Sequence, residues 1–235
     1  MTLQPVPAHI LSITPETPTI ARITLRIDDG APFAFVPGQW IDFGVQLGDQ
    51  LEVGGYSLAS APAQLPDIEL GVRHNPRHTV SHWLHTEAKP GDTVLVQGGQ
   101  GNCVWTPTRD DEVIFVVGGI GITPPLSMLR AALATTTPFQ ARMHYSARTH
   151  DELAFLTDLQ KLAADPRFVL HTTVTRETPE NNDRRGRWTA TDVLASSSPK
   201  AIVYVFGPPP MVDGFCTGLA EAGLASEQIR TERWW

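Results

Sequence analysis

The stretch Glu112-Val113-Ile114-Phe115-Val116-Val117-Gly118-Gly119-Ile120-Gly121-Ile122-Thr123-Pro124-Pro125 decides the fold. Glu112–Val117 reads as a continuous apolar strand, the kind buried on both faces of a parallel sheet. A Gly-rich turn and an apolar helix over about Pro124–Ala134 follow it. This is the context a dinucleotide-binding turn requires. Glycines let the backbone turn tightly and approach a pyrophosphate, and the helix N-terminus offers N–H groups and a positive dipole end to that anion. Pro124 has no N–H to lose in the first helical turn. It also stands where the third glycine of Gly-x-Gly-x-x-Gly is usual, so the turn is a variant. A Gly-rich strand-to-helix corner with no ligand has the same local sequence.

Downstream, strand Ala141–Ser146, helix Asp151–Leu162, strand Phe168–Val174, helix Thr189–Leu194, strand Ala201–Phe206, helix Pro210–Ala222 and a last strand near Gln228–Arg233 are expected. Strand–helix alternation of this kind means crossover units and a parallel sheet. The strand after the glycine turn ends Tyr145-Ser146-Ala147-Arg148, with no carboxylate to take ribose hydroxyls. A hydroxyl and a guanidinium suit an adenosine 2′-phosphate better than a bare 2′-OH. Thr175-Arg176 add a second such pair, although Arg148 and Arg176 also read as solvated surface charges. Gly207-Pro208-Pro209-Pro210-Met211 stops a strand where open α/β sheets bind ligands, and equally where a rigid corner belongs. The polar segment Glu177–Arg187 reads as a mobile loop.

Upstream, Ala8–Thr14, Thr19–Ile27, Trp40–Val45, Ile68–Val72 and Thr93–Gln97 read as short strands between turns, the pattern of an antiparallel barrel or sandwich. One helix, Val80–Thr86, interrupts them. The composition shift at Thr106–Asp111 divides the chain into domains 1–108 and 109–235. Gly54-Gly55-Tyr56-Ser57-Leu58 is a glycine-marked strand with an aromatic–hydroxyl pair. The ring can stack on a flat heterocycle and the hydroxyl can bond a ring nitrogen, while a tyrosine in a barrel strand also reads as core. The terminal Trp234-Trp235 would pack on something flat, a ring cofactor or a barrel wall.

The 235 residues carry 18 Lys+Arg against 25 Asp+Glu, a formal charge of −7 that argues against a basic nucleic-acid binder. At 41% apolar the chain is not disordered, and 19 Gly with 20 Pro fit a loop-rich barrel and α/β fold. Two cysteines are too few for a disulfide framework, an all-cysteine zinc site or an iron–sulfur cluster. There is no signal-peptide pattern and no apolar run of membrane-spanning length, so a cytoplasmic location is expected. Nucleophile-elbow, zincin and P-loop patterns are missing, and His74, His78, His82 and His85 form no recognisable ligand set.

Six segments in order, Pro37-Gly38-Gln39-Trp40, Tyr56-Ser57, Val80-Ser81-His82-Trp83-Leu84, Gly118–Pro124, Gly207–Met211 and the aromatic terminus, resemble the ferredoxin–NADP reductase-like superfamily. Val53-Gly54-Gly55 and the terminal Trp pair look nearest to its oxidoreductase NAD-binding domain-containing branch. The resemblance implies a flavin-binding antiparallel β-barrel followed by an NAD(P)-binding α/β domain, with FAD and NAD(P)H as cofactors. It implies that Tyr56 stacks on the isoalloxazine, that Ser57 sits near its N5, and that Trp234 or Trp235 covers the ring. Tyr56, Ser57 and Trp235 are thus the implied catalytic environment. Leu58, Val72, Arg73, Arg77, Thr79, Val80 and Ser81 complete the implied flavin set, with the Ser81 region receiving the pyrophosphate. Gly119, Gly121, Ile122 and Thr123 hold the NAD(P) pyrophosphate, Ser146, Arg148 and Arg176 its adenosine end, and Gly207, Pro208 and Met211 border the nicotinamide.

Three departures stand out. Gly54 replaces an arginine that usually pairs with flavin phosphate, Arg77 and His78 replace glycines, and Phe206 replaces a cysteine. Losing that arginine removes a charge-assisted contact, which Arg77 or Arg73 is expected to replace. The implied function is a flavin-dependent NAD(P)H oxidoreductase passing electrons to an external acceptor such as a ferredoxin or oxygenase. The alternatives are an electron-transfer subunit of a multicomponent oxygenase or dehydrogenase, and a cofactor-binding module without catalysis.

Overall fold

The computed structural model describes residues 4–178 and 184–232. They form two compact units, one built on the chain up to Thr106 with Thr123–Ala131, the other on Pro107–Ile122 and the chain from Ala132 onward.

The first unit holds β1 (Val6–Thr17), β2 (Ile20–Ile27), β3 (Trp40–Leu47), β4 (Gln50–Ser57), β5 (Asp67–Arg73), α1 (Thr79–Thr86) and β6 (Thr93–Gln100). Among the described residues these strands make one six-stranded antiparallel sheet in the order β4-β3-β6-β1-β2-β5. A bridge between Leu58 and Leu70 links the chain just after β4 to β5, so the two edges meet and the sheet closes. Period-2 alternation sends Ala8, Ile10, Ile23, Leu25, Ile41, Phe43, Leu70 and Val72 inward. Pro15 is tolerated within β1 because the register shifts between Pro15 and Thr17. Helix α1 lays Val80, Trp83 and Leu84 into this core.

The second unit holds β7 (Asp111–Gly118), β8 (Phe139–Ala147), α3 (Leu156–Leu162), β9 (Phe168–Val174), β10 (Arg184–Arg185), α4 (Ala190–Leu194), β11 (Ile202–Phe206), α5 (Pro209–Glu221) and β12 (Ile229–Thr231). Helix α2 (Thr123–Leu133) begins directly after the turn that follows β7. The strands are all parallel, in the order β10-β9-β8-β7-β11-β12. Val113–Val117 are fully buried, as a central strand covered on both faces requires. Ile114 and Val116 pack with Val203, Val205, Val193 of α4 and Val212 and Leu219 of α5.

The expected elements form with two differences. The helix expected over Asp151–Leu162 starts only at Leu156, after a 3-10 turn at His150–Glu152. Phe155 between them is left-handed at φ 58°, because Leu153, Ala154 and Phe155 are drawn into the core and the Ala154 carbonyl accepts the Tyr145 hydroxyl at 3.3 Å. Within the expected loop Glu177–Arg187, Arg184–Arg185 pair with β9 and add a short strand; residues 179–183 lie outside the described residues. No helix among the described residues is long and apolar enough to cross a membrane.

Candidate functional site

The parallel sheet reverses its winding between β7 and β11, where neighbouring strands lead to connections on opposite sides. Ligands of open α/β sheets bind outside the carboxyl ends of strands at such a reversal. Here those ends are Gly118-Gly119-Ile120-Gly121 and Gly207-Pro208, and their main chains nearly touch. A Cβ on Gly121 would stand 2.7 Å from the carbonyl carbon and oxygen of Phe206 and 2.8 Å from the nitrogen of Gly207. One on Gly118 would meet the Met211 sulfur at 2.5 Å, and one on Gly207 the Met211 sulfur at 3.1 Å and the Gly118 nitrogen at 3.2 Å. Gly119 takes φ 55°, and its carbonyl accepts the Tyr145 hydroxyl at 3.1 Å, fixing the turn from below. Apart from Met211 beside Gly118 and Gly207, the turns meet through main chain, the kind of surface a pyrophosphate approaches, so the residues fit a dinucleotide.

The helix starts contribute less than expected. Pro124 and Pro125 both fall in the first turn of α2, and Pro209 and Pro210 open α5 after the Pro208 cap. Each pair removes two N–H donors from the helix start that an anion would meet, and α2 is preceded by a 3-10 turn over Gly119–Ile122. Thr123, the first residue of α2, is buried. Phe206 sends its ring into the core, 6.4 Å from Tyr204 and nearly parallel to it.

At the neighbouring strand ends, Thr175 and Arg176 donate backbone N–H bonds to the Ala147 and Arg148 carbonyls at 2.8–3.2 Å. The segments bearing Arg148 and Arg176 are therefore locked together, with both arginines exposed and Ser146 half-buried beside them. The nearby Glu177 carboxylate accepts the His150 N–H and is thereby engaged.

In the first unit, β4 places Tyr56 on the inward face opposite Ile41, with its ring edge-on to Phe43 at 6.0 Å. Ser57, on the other face, is buried, as is Leu58. The Tyr56 ring leans back along β4 over Gly54: a Cβ there would lie 2.9 Å from Cε2 and 3.0 Å from the hydroxyl of Tyr56. That hydroxyl is buried and has no hydrogen-bond partner among the described residues, and burial pushes its pKa well above the usual phenol value. An unpaired buried hydroxyl costs about 1–3 kcal/mol, so a polar ligand group here has an open partner, and the residues fit a flavin nucleotide.

The loop from β5 to α1 is brought beside it. Ser81 spends its hydroxyl internally, donating to the Arg73 carbonyl at 2.7 Å and accepting the Asn75 N–H at 2.9 Å, so it shapes the loop rather than offering a free hydroxyl. Val72 and Val80 are buried, while Arg73, Arg77 and Thr79 are exposed. The side chain that reaches the place of a Gly54 side chain is His78, whose Cε1 is 2.9 Å from that Cβ position. His78 was not among the expected site residues; the only sequence signal for it was that it and Gly54 both depart from the family pattern. The expected ring-covering residues Trp234 and Trp235 lie outside the described residues.

Comparison with known proteins agrees with this architecture. An oxidoreductase FAD-binding domain model matches residues 8–105, and an oxidoreductase NAD-binding domain model matches residues 115–217. The chain is 31% identical over 251 residues to oxidoreductase NAD-binding domain-containing protein 1 of Danio rerio, covering 97% of this chain and 91% of that one. It is 28% identical to ferredoxin–NADP reductase B of Sorangium cellulosum, with 98% of each chain covered. A ferredoxin NADP+ reductase from Neisseria gonorrhoeae, solved with FAD and NADP, superposes with a TM-score of 0.84 at 20% identity, over 99% of this chain and 98% of that one. A barrel with a flavin-domain signature, followed by a parallel sheet with a nucleotide-domain signature, places the chain in the ferredoxin–NADP reductase-like superfamily, within the family of oxidoreductase NAD-binding domain-containing proteins.

Proposed function

We propose that the chain is a flavin-dependent NAD(P)H oxidoreductase that delivers electrons to an acceptor outside itself, a separate protein carrier such as a ferredoxin. The bare main-chain approach of Gly121 to Phe206 and Gly207, at the reversal of strand order, supports this reading most directly. FAD, when bound, supplies the redox chemistry by accepting a hydride equivalent from reduced nicotinamide and passing electrons on. The chain's own residues bind, orient and exclude water. In this reading residues 1–108 serve the flavin and 109–235 the nicotinamide nucleotide. Gly119, Gly121, Ile122 and Thr123 hold the nucleotide pyrophosphate, and Gly207, Pro208 and Met211 border the nicotinamide. Ser146, Arg148 and Arg176 take the adenosine 2′-phosphate, which makes NADPH the preferred donor. Tyr56 would stack on the isoalloxazine, Ser57 would sit near its N5, and Trp234 or Trp235 would cover the face where nicotinamide enters.

The test is a visible spectrum of the purified protein after FAD addition, followed by anaerobic NADPH and NADH in turn. The expected result is a yellow protein that NADPH bleaches at lower concentration than NADH. Arg148→Ala with Arg176→Ala is expected to raise the NADPH concentration needed by about tenfold and to leave NADH within about twofold. A protein that stays colourless with FAD would end the flavin reading. Equal loss with both nucleotides would end the 2′-phosphate assignment.

A further inference from the structure

His78 is held at the N-cap of α1 in an extended conformation, where its Nδ1 accepts the Ser81 N–H at 3.3 Å. In the neutral ring that bond assigns the proton to Nε2, which makes the far edge of the imidazole an N–H donor. The ring stands edge-on to Tyr56, with centroids 6.4 Å apart and planes at 74°. Both rings converge over Gly54: a Cβ there would sit 2.9 Å from His78 Cε1 and 3.0 Å from the Tyr56 hydroxyl. Gly54 and His78 are thus complementary, since the strand omits a side chain where the imidazole stands. The Tyr56 hydroxyl beside it is buried and has no hydrogen-bond partner among the described residues. An imidazole N–H and a phenolic hydroxyl able to donate, brought to one place, suit a group that accepts from both, and a phosphate is such a group.

We propose that His78 is the flavin-phosphate ligand of this chain, donating from Nε2 beside the Tyr56 hydroxyl above Gly54. The proposal rests on the flavin reading above and names a residue within that site. It assigns to an imidazole the contact expected of Arg77 or Arg73; all three residues are exposed, and His78 is the one whose ring stands against Gly54 and Tyr56.

The test titrates FAD, FMN and riboflavin into flavin-free protein, followed by flavin fluorescence, with melting of the flavin-free protein in parallel. His78→Asp and His78→Ser retain a side-chain oxygen that caps α1, so they separate the helix cap from the ligand contact. Both are expected to melt close to the parent protein and to bind FAD and FMN at least about tenfold more weakly, Asp more so because it repels phosphate. Riboflavin, which has no phosphate, is expected to bind all three proteins alike. FAD binding unchanged in either folded variant overturns the proposal. So does a loss that is as large for riboflavin, which would mark His78 as a purely structural cap. A parent protein that binds no FAD would overturn the flavin reading itself, whereas tight parent binding that survives His78→Asp overturns only the role of His78.

Discussion

The two units approach ligand binding by different means. In the parallel sheet the candidate surface is chiefly main chain: Gly121 meets the backbone of Phe206 and Gly207 so closely that no side chain fits at that position, and Met211 packs beside Gly118. In the barrel the candidate surface is side chain: the Tyr56 ring and the His78 imidazole, from different elements, fill the space that Gly54 leaves. A main-chain surface recognises charge and shape in any residue context, but it tolerates no change at the glycines. A side-chain surface can be rebuilt by exchanging partners, as the joint departure at positions 54 and 78 illustrates.

The contrast makes its largest prediction at the glycines. In Gly121→Ala the new Cβ meets carbonyl and amide atoms of Phe206 and Gly207, which cannot rotate away. Overpacking of this kind costs about 1–3 kcal/mol, and the shifted turn is expected to weaken nucleotide binding more than tenfold in a direct titration. Gly54→Ala meets only the ends of the Tyr56 and His78 side chains, which can swing, so it is expected to cost about 1 kcal/mol or less in melting experiments. Equal losses in the two variants would remove the distinction between the units.

A second, smaller effect sharpens the barrel side. Tyr56→Phe removes a buried hydroxyl that lacks a partner, so the flavin-free protein is expected to gain about 1 kcal/mol. Flavin binding should move the other way and weaken several-fold. A variant that loses stability without flavin would show that the hydroxyl is already satisfied in the free protein.

The smallest effect separates the units by pH. His85 in the barrel is held below the ordinary imidazole value of 6.5 chiefly by burial, and His171 in the sheet by burial and then by the Arg142 charge. Because both folded values are depressed, the stability they contribute is present above pH 6.5 and is lost as pH falls through the folded values. His85→Gln is expected to flatten the acid-side fall in melting temperature by about 1–2 °C, and His171→Gln by less, because the exposed His171 ring is screened by solvent. A parent protein whose melting point is level between neutral pH and pH 5 would contradict both shifts.

How much was legible in the sequence follows the same division. The β7–turn–α2 segment spells its strand, close approach and helix start within fifteen consecutive residues, so local chemistry sufficed. The barrel strands were legible from alternation, and Tyr56 and Ser57 from their glycine-marked setting. What local pattern does not encode is which distant side chain enters a vacant space, so Gly54 and His78 read as two separate losses. The α3 start was misplaced for a related reason: Leu153–Phe155 are apolar enough for a helix, yet the Tyr145 hydroxyl engages the Ala154 carbonyl and Phe155 turns left-handed. The second proline of each helix start was visible, but its effect on the supply of amide donors emerged only with the helix boundaries at Thr123 and Pro209.

Those prolines also act on the chain before it folds. Pro124, Pro125 and Pro208–Pro210 restrict φ at both corners of the glycine surface, so the unfolded ensemble has fewer conformations to lose there. The glycines just before them do the opposite and enlarge that ensemble. Setting the stiffest residues directly after the loosest at two short corners lets the chain keep closely apposed main chain while limiting the entropy that such a surface would otherwise demand on folding.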